Sequence, residues 1–172
     1  DRSPNVMEVD LEALAAGTEN EDAAWLARYF SSVVPTKKNE YTGRFQGYNV
    51  IQLSIEGFSG YAIDPELTPT LYRLTHEGFV FPNFYTPLHY TSTSGGECQN
   101  LLGLYPKAGN PITMKETGVR HTDGRFSLAR QLGALGYTVL GYHGNEDMYG
   151  RYASHTNLGY TWKQYQTGLE LE

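Results

Sequence analysis

A chain of 172 residues, 40% apolar, 19% charged and 13% aromatic, can build one domain with a real core and is too apolar for intrinsic disorder. Its net charge of −6 and pI near 5.3 repel nucleic acid and anionic membrane surfaces, so an anionic ligand must be held locally by a metal, an arginine or a helix N-terminus. The single cysteine, Cys98, excludes an internal disulfide, and no run approaches the roughly 20 apolar residues of a membrane span. Fourteen tyrosines against seven phenylalanines fit either a tyrosine-rich surface or a polar, ring-lined cleft.

In chain order, Val9 to Ala16 and Ala23 to Val34 read as two short amphipathic helices separated by Gly17-Thr18-Glu19-Asn20. The polar stretch Pro35-Thr36-Lys37-Lys38-Asn39-Glu40 closes this region. Residues 1–40 are therefore read as a helical arm or linker, and residues 41–172 as part of a catalytic domain. Val50 to Ile55 is a mostly apolar run of the kind buried on both faces in a parallel sheet. Thr68 to His76 opens with Thr-Pro, a cap and first-turn signal, and Gly78 ends it. Phe79 to Phe84 reads as a short extended segment, Glu97 to Leu104 as a helix, and Phe126 to Leu135 as a helix closed by Gly136. Tyr137 to Tyr142 reads as a second buried strand running into His143-Gly144-Asn145. Alternation of strand and helix implies an α/β fold, a mostly parallel sheet flanked by helices, with ligands gathered at the carboxyl ends of the strands.

Three places could carry chemistry. Glu56 ends the first strand and precedes Gly57-Phe58-Ser59-Gly60; it reads as an oxygen ligand for a hard divalent cation or as a cap. Ser94-Gly95-Gly96-Glu97 fits a capping box, which puts the Thr93 hydroxyl just before a helix N-terminus that favours anions. Thr93 is then either a nucleophile that needs activation or one hydroxyl of a well-capped helix. His143, at a strand end as Glu56 is, reads as a substrate contact or a structural imidazole, with Tyr149 and Arg151 downstream. Arginine is the natural partner of phosphate oxygens. A Gly-x-Ser-x-Gly elbow, a Walker loop, a dinucleotide Gly-x-Gly-x-x-Gly fingerprint and zinc-spaced Cys or His pairs are all absent from the sequence, which disfavours a serine hydrolase, kinase, dehydrogenase or zinc protease.

These motifs, in this order, resemble the lipoteichoic acid synthase family of the alkaline phosphatase/sulfatase superfamily. The resemblance runs from about residue 35 to about residue 165. It is carried by Pro35 to Gly43, Asn49 to Glu56, Thr68-Pro69-Thr70-Leu71-Tyr72-Arg73-Leu74 with Gly78, Phe81-Pro82-Asn83-Phe84-Tyr85, Thr93-Ser94, Leu104-Tyr105-Pro106, Gly136 to Asn145 and Leu158-Gly159-Tyr160. It implies an alkaline-phosphatase-like fold of which this chain is the N-terminal portion, on the extracellular face of a membrane or secreted after processing. It implies Mn²⁺ (or Mg²⁺) bound by Glu56 and Thr93, and Thr93 as the nucleophile that attacks phosphatidylglycerol. Diacylglycerol would leave, and the glycerophosphoryl group would pass from Thr93 to a polyglycerophosphate chain. His143, Tyr149 and Arg151 would contact the head group. The remaining metal ligands, an Asp-His pair and a further acidic residue, would come from a C-terminal remainder of the same domain. Tyr149 where the family has tryptophan, Gly95-Gly96 after the nucleophile and Leu88-His89-Tyr90 before it are departures that bear on the substrate more than on the reaction. A related phosphoethanolamine or phosphoglycerol transferase and a non-catalytic glycerophosphate-binding fragment are the alternatives.

Overall fold

The computed structural model of the chain describes residues 2–6, 9–85, 93–104, 124 and 126–169. Leu88-His89-Tyr90 and Tyr105-Pro106 of the motifs above lie outside the described residues. The chain divides into two compact units, Asp1–Ser54 and Ile55–Glu172.

The first unit is built on two helices, α1 (Leu11–Gly17) and α2 (Glu21–Ser32). Each is started by the short polar side chain the sequence places before it. The Asp10 carboxylate accepts from Ala13 N at 2.9 Å, and the Asn20 side chain from Ala23 N at 3.0 Å. Such caps satisfy backbone donors that a helix start leaves open, each contributing about 1 kcal/mol. The helices pack through small residues, with Ala15, Ala24 and Ala27 buried, while the Ser31 hydroxyl donates to Glu12 at 2.7 Å. An antiparallel bridge between Pro4 and Lys37, flanked by bonds from Asn5 N to Thr36 O and from Lys38 N to Ser3 O, ties the two ends of this hairpin together. Both predicted amphipathic helices are present, shifted by about two residues at their ends.

The second unit holds α3 (Pro69–Glu77), α4 (Thr93–Leu102), α5 (Leu128–Ala134), β1 (Leu140–His143), α6 (Arg151–Asn157), β2 (Thr161–Tyr165) and the short β3 (Gly168–Leu169). The sheet order is β1-β2-β3. Strands β1 and β2 run parallel with Leu140 opposite Thr161 and His143 opposite Gln164, and α6 forms the crossover that parallel pairing requires. This β-α-β unit gives the α/β architecture the strand-helix order predicts. Close approach at its centre depends on Gly141, where an added Cβ would lie 2.5 Å from Trp162 Cε3.

The core of the unit joins α4 to the β-α-β unit. Cys98 and Leu102 pack with Leu158, with Leu101 and Tyr160 at the edge. Full burial of one such leucine contributes about 2 kcal/mol. Ser127, fully buried, performs two tasks there. Its hydroxyl accepts from Arg130 N at 3.1 Å, capping α5, and donates to Leu158 O at 2.7 Å.

Several predicted elements differ from those observed. Val50 to Ile55 forms no strand; its apolar side chains are exposed, Ile51 at 85% and Leu53 at 69%. A strand exists only when neighbours satisfy its backbone, and among the described residues none pairs with this run, so its apolar pattern stays unrealised. Phe79 to Phe84 is likewise irregular, with a turn closed by Phe84 N donating to Phe81 O. Strand β1 begins three residues later than predicted, and β2, which pairs with it, was not anticipated. Helix α4 begins at Thr93 rather than at Glu97. Helix α5 starts two residues later than predicted because Ser127, not Phe126, supplies the cap.

Candidate active site

Glu56 sits in a turn with Gly57, whose φ of +64° a glycine adopts without strain. The chain then passes through a short 3-10 turn, Gly60–Ala62, capped by Ser59, into α3. Thr93 is the first residue of α4, half-buried, and not the residue before the helix. The two meet: Thr93 Oγ1 donates to Glu56 Oε1 at 3.1 Å, although 37 residues separate them. This is the pairing on which the sequence reading depends.

The donor set fits one edge of a hard-cation site. Two oxygens at right angles on a small divalent cation, each about 2.1 Å from it, lie about 3 Å apart. One carboxylate and one hydroxyl are also the oxygen chemistry such ions take. Among the described residues no three His, Cys, Asp or Glu side chains converge, so Glu56 and Thr93 could supply two oxygens of such a site but not a full cage.

Helix α4 carries a second polar residue on the same face. Glu97 lies one turn beyond Thr93, where residues four apart are neighbours. The expected capping box is not formed: Ser94 is buried inside the first turn, and Glu97 Oε1 accepts from Arg151 Nε at 2.7 Å. Arg151 opens α6 after two successive left-handed residues, Tyr149 with φ +58° and Gly150 with φ +66°. That bend folds the Tyr149 ring back under the guanidinium, 5.1 Å from ring centroid to Cζ. Arg151 is 5% exposed. An arginine this deeply buried is stabilised by its pairing, because an isolated guanidinium there would be costly.

His143 ends β1, as predicted, and its ring stacks on Trp162 at 6.5 Å with Nδ1 buried and without a hydrogen-bond partner. Among the described residues it makes no hydrogen bond with Glu56 or Thr93. The structure thus brings Glu56 to Thr93 and Tyr149 to Arg151, joins both pairs through α4, and sets His143 beside Trp162.

The sequence reading missed His155 and Trp162 and gave Glu97 only a capping role. His155 is 2% exposed and packs on Trp162 at 4.1 Å between centroids. Its Nδ1 donates to Arg151 O at 3.1 Å. Burial pushes its pKa down to about 4, and Arg151 and His143 act in the same direction, against the carbonyl of Arg151 and the carboxylate of Asp147. The imidazole is therefore neutral at pH 7. The i, i+4 spacing of Thr93 and Glu97 was the one signal that could have drawn attention to Glu97.

A family model described as Sulfatase matches residues 49–170, most of the chain and all the residues of this site. The chain belongs to the sulfatase family. Its small parallel sheet flanked by helices accords with part of the alkaline-phosphatase-like α/β fold. Over 152 residues this sulfatase-family chain is 28% identical to lipoteichoic acid synthase 2 of Bacillus subtilis (strain 168), a match covering 84% of the chain and 22% of that protein. The chain thus spans about a fifth of the length of that relative. No solved structure gives a significant match.

Proposed function

We propose that this sulfatase-family chain carries the nucleophile and part of the metal site of a phosphoglycerol transferase. Such an enzyme moves glycerophosphate from phosphatidylglycerol to a growing polyglycerophosphate chain on the outer face of a membrane. The observation that carries the reading is the 3.1 Å hydrogen bond from Thr93 to Glu56. Family membership and the likeness to a Bacillus lipoteichoic acid synthase support the reaction class.

Glu56 and Thr93 would hold a divalent cation, Mn²⁺ or Mg²⁺, which when bound lowers the pKa of a hydroxyl and offsets phosphoryl charge. In the first step Thr93 Oγ1 loses its proton and attacks phosphorus. The bond from phosphorus to the diacylglycerol oxygen breaks, and that oxygen takes up a proton as diacylglycerol leaves. In the second step the terminal glycerol hydroxyl of the acceptor gives up its proton and attacks the same phosphorus, the bond to Thr93 breaks, and Thr93 Oγ1 takes up a proton. Arg151 offsets negative charge on the phosphoryl oxygens, and His143 and Tyr149 line the head group. In-line displacement at phosphorus gains most from such positioning and charge neutralisation.

The test uses phosphatidylglycerol labelled in its glycerol head group, with manganese and without an acceptor. The expected result is release of diacylglycerol together with a labelled glycerophosphoryl group on the peptide that contains Thr93. Phosphatidylethanolamine in a parallel reaction separates the two donors. Label on another residue, or release without any adduct, would overturn the assignment of Thr93.

A further inference from the structure

The geometry points to Glu97 as a positioning residue that aims Arg151 at the anion attacked by Thr93, an inference that rests on the transferase reading above. Arg151 is gripped on two sides. Its Nε donates to Glu97 Oε1 at 2.7 Å, and its Cζ lies over the Tyr149 ring, 5.1 Å from the centroid. Nε is the donor nearest the chain, so this grip leaves both Nη groups unspent, and among the described residues none accepts from them. A guanidinium tethered at Nε and seated over a ring at Cζ has its outer edge fixed in direction. That edge is the part that matches two phosphate oxygens.

The grip also has a source that matters. Glu97 stands on the helix that begins with Thr93, one turn along the same face. The anchor for the arginine and the nucleophile thus share one rigid element, so their separation does not depend on a loop. Glu97 engages Arg151 through a single oxygen, while Oε2 is buried without a hydrogen-bond partner. A pair evolved only to stabilise the fold would gain more from a two-pronged contact, in which both carboxylate oxygens face the guanidinium edge. The one-pronged contact keeps that edge free at the expense of one unsatisfied oxygen. Reach to the substrate then falls to Arg151, and orientation to Glu97.

The experiment compares the protein, Glu97→Gln, Arg151→Ala and the double variant. Gln keeps the size of Glu97 and one acceptor, and thermal unfolding of each protein verifies folding. Two readouts are taken: transfer from phosphatidylglycerol, and calorimetric binding of glycerol phosphate in the presence of Mn²⁺. Arg151→Ala is expected to lower kcat/KM for transfer and glycerol phosphate affinity by about 100-fold, and Glu97→Gln by about 10-fold, since a displaced guanidinium contacts the anion poorly. In the Arg151→Ala background, Glu97→Gln is expected to change neither quantity further. An equal loss in both backgrounds, or no loss from Glu97→Gln, would overturn the positioning role. Failure of the unaltered protein to bind glycerol phosphate would overturn it as well. Binding with the expected coupling but without transfer would leave the positioning role standing and remove the transferase reading alone.

Discussion

Replacing Thr93 with alanine is expected to abolish glycerophosphate transfer while leaving the protein folded. The hydroxyl is the only atom group at that position able to form and release a bond to phosphorus. Its loss removes a step rather than weakening one, so a fall of at least about 1,000-fold in kcat is expected. The cost to stability is small, because Thr93 is half-buried and its bond to Glu56 is exposed to solvent; about 1 kcal/mol or less is expected. Thr93→Ser keeps the oxygen and is expected to retain activity within about 10-fold of the natural residue, the missing methyl loosening its placement. Transfer assays paired with thermal unfolding make the comparison. Substantial turnover by a folded Thr93→Ala protein would rule out threonine as the nucleophile, whatever the match to the family.

The second large effect concerns stability against pH and belongs to His155. In the folded chain its imidazole stays neutral until about pH 4 because it is buried against Trp162 and Tyr160. In the unfolded chain it takes up a proton near pH 6.5. Between those values the unfolded state binds more protons, so stability falls as pH falls through this window and is constant above it with respect to this group. Linkage gives a loss of about 2 to 3 kcal/mol by pH 4.5, most of what is lost once both states are protonated. Denaturant unfolding at pH 7.5 and 4.5 measures the total, to which carboxylates also contribute. The difference from a His155→Leu variant isolates this residue. The variant is expected to lose about 2 to 3 kcal/mol less than the natural protein between the two pH values, and an identical loss in both would sink the assignment.

Legibility from the sequence divides along the range of the interactions involved. Helices α1, α2 and α3 were readable because their signals are local: the apolar periodicity of the first two and the break at Gly17 to Asn20, then Thr-Pro before α3 and Gly78 after it, whose added Cβ would meet Leu74 O at 2.7 Å. The caps at Asp10 and Asn20, which set the observed helix starts, were not read. Strand β1 was readable because its end at His143 is marked by Gly144. The run Val50 to Ile55 carries the same local signal as a buried strand, yet strand formation is decided by partners, and propensity alone does not supply them. Glu56 and Thr93 were legible as residues of interest through their neighbours and through the resemblance to a family. Their contact was not, because nothing in a linear spacing of 37 residues reports a distance. Glu97 illustrates the same limit from the other side. Its local pattern matches a capping box, but an arginine 54 residues away competes for the carboxylate and wins, since a hydrogen bond between two opposite charges outweighs one to a neutral backbone N–H.

The lone thiol of the chain has a practical consequence. Cys98 is 1% exposed, packed with Leu102 and Leu158, and burial raises its pKa, so alkylating reagents meet neither a thiolate nor an accessible sulfur while that packing holds. Labelling of Cys98 therefore times the opening of the helix that bears Thr93. A cation that rigidifies the Glu56–Thr93 pair should slow it, giving a clock for occupancy that needs no turnover.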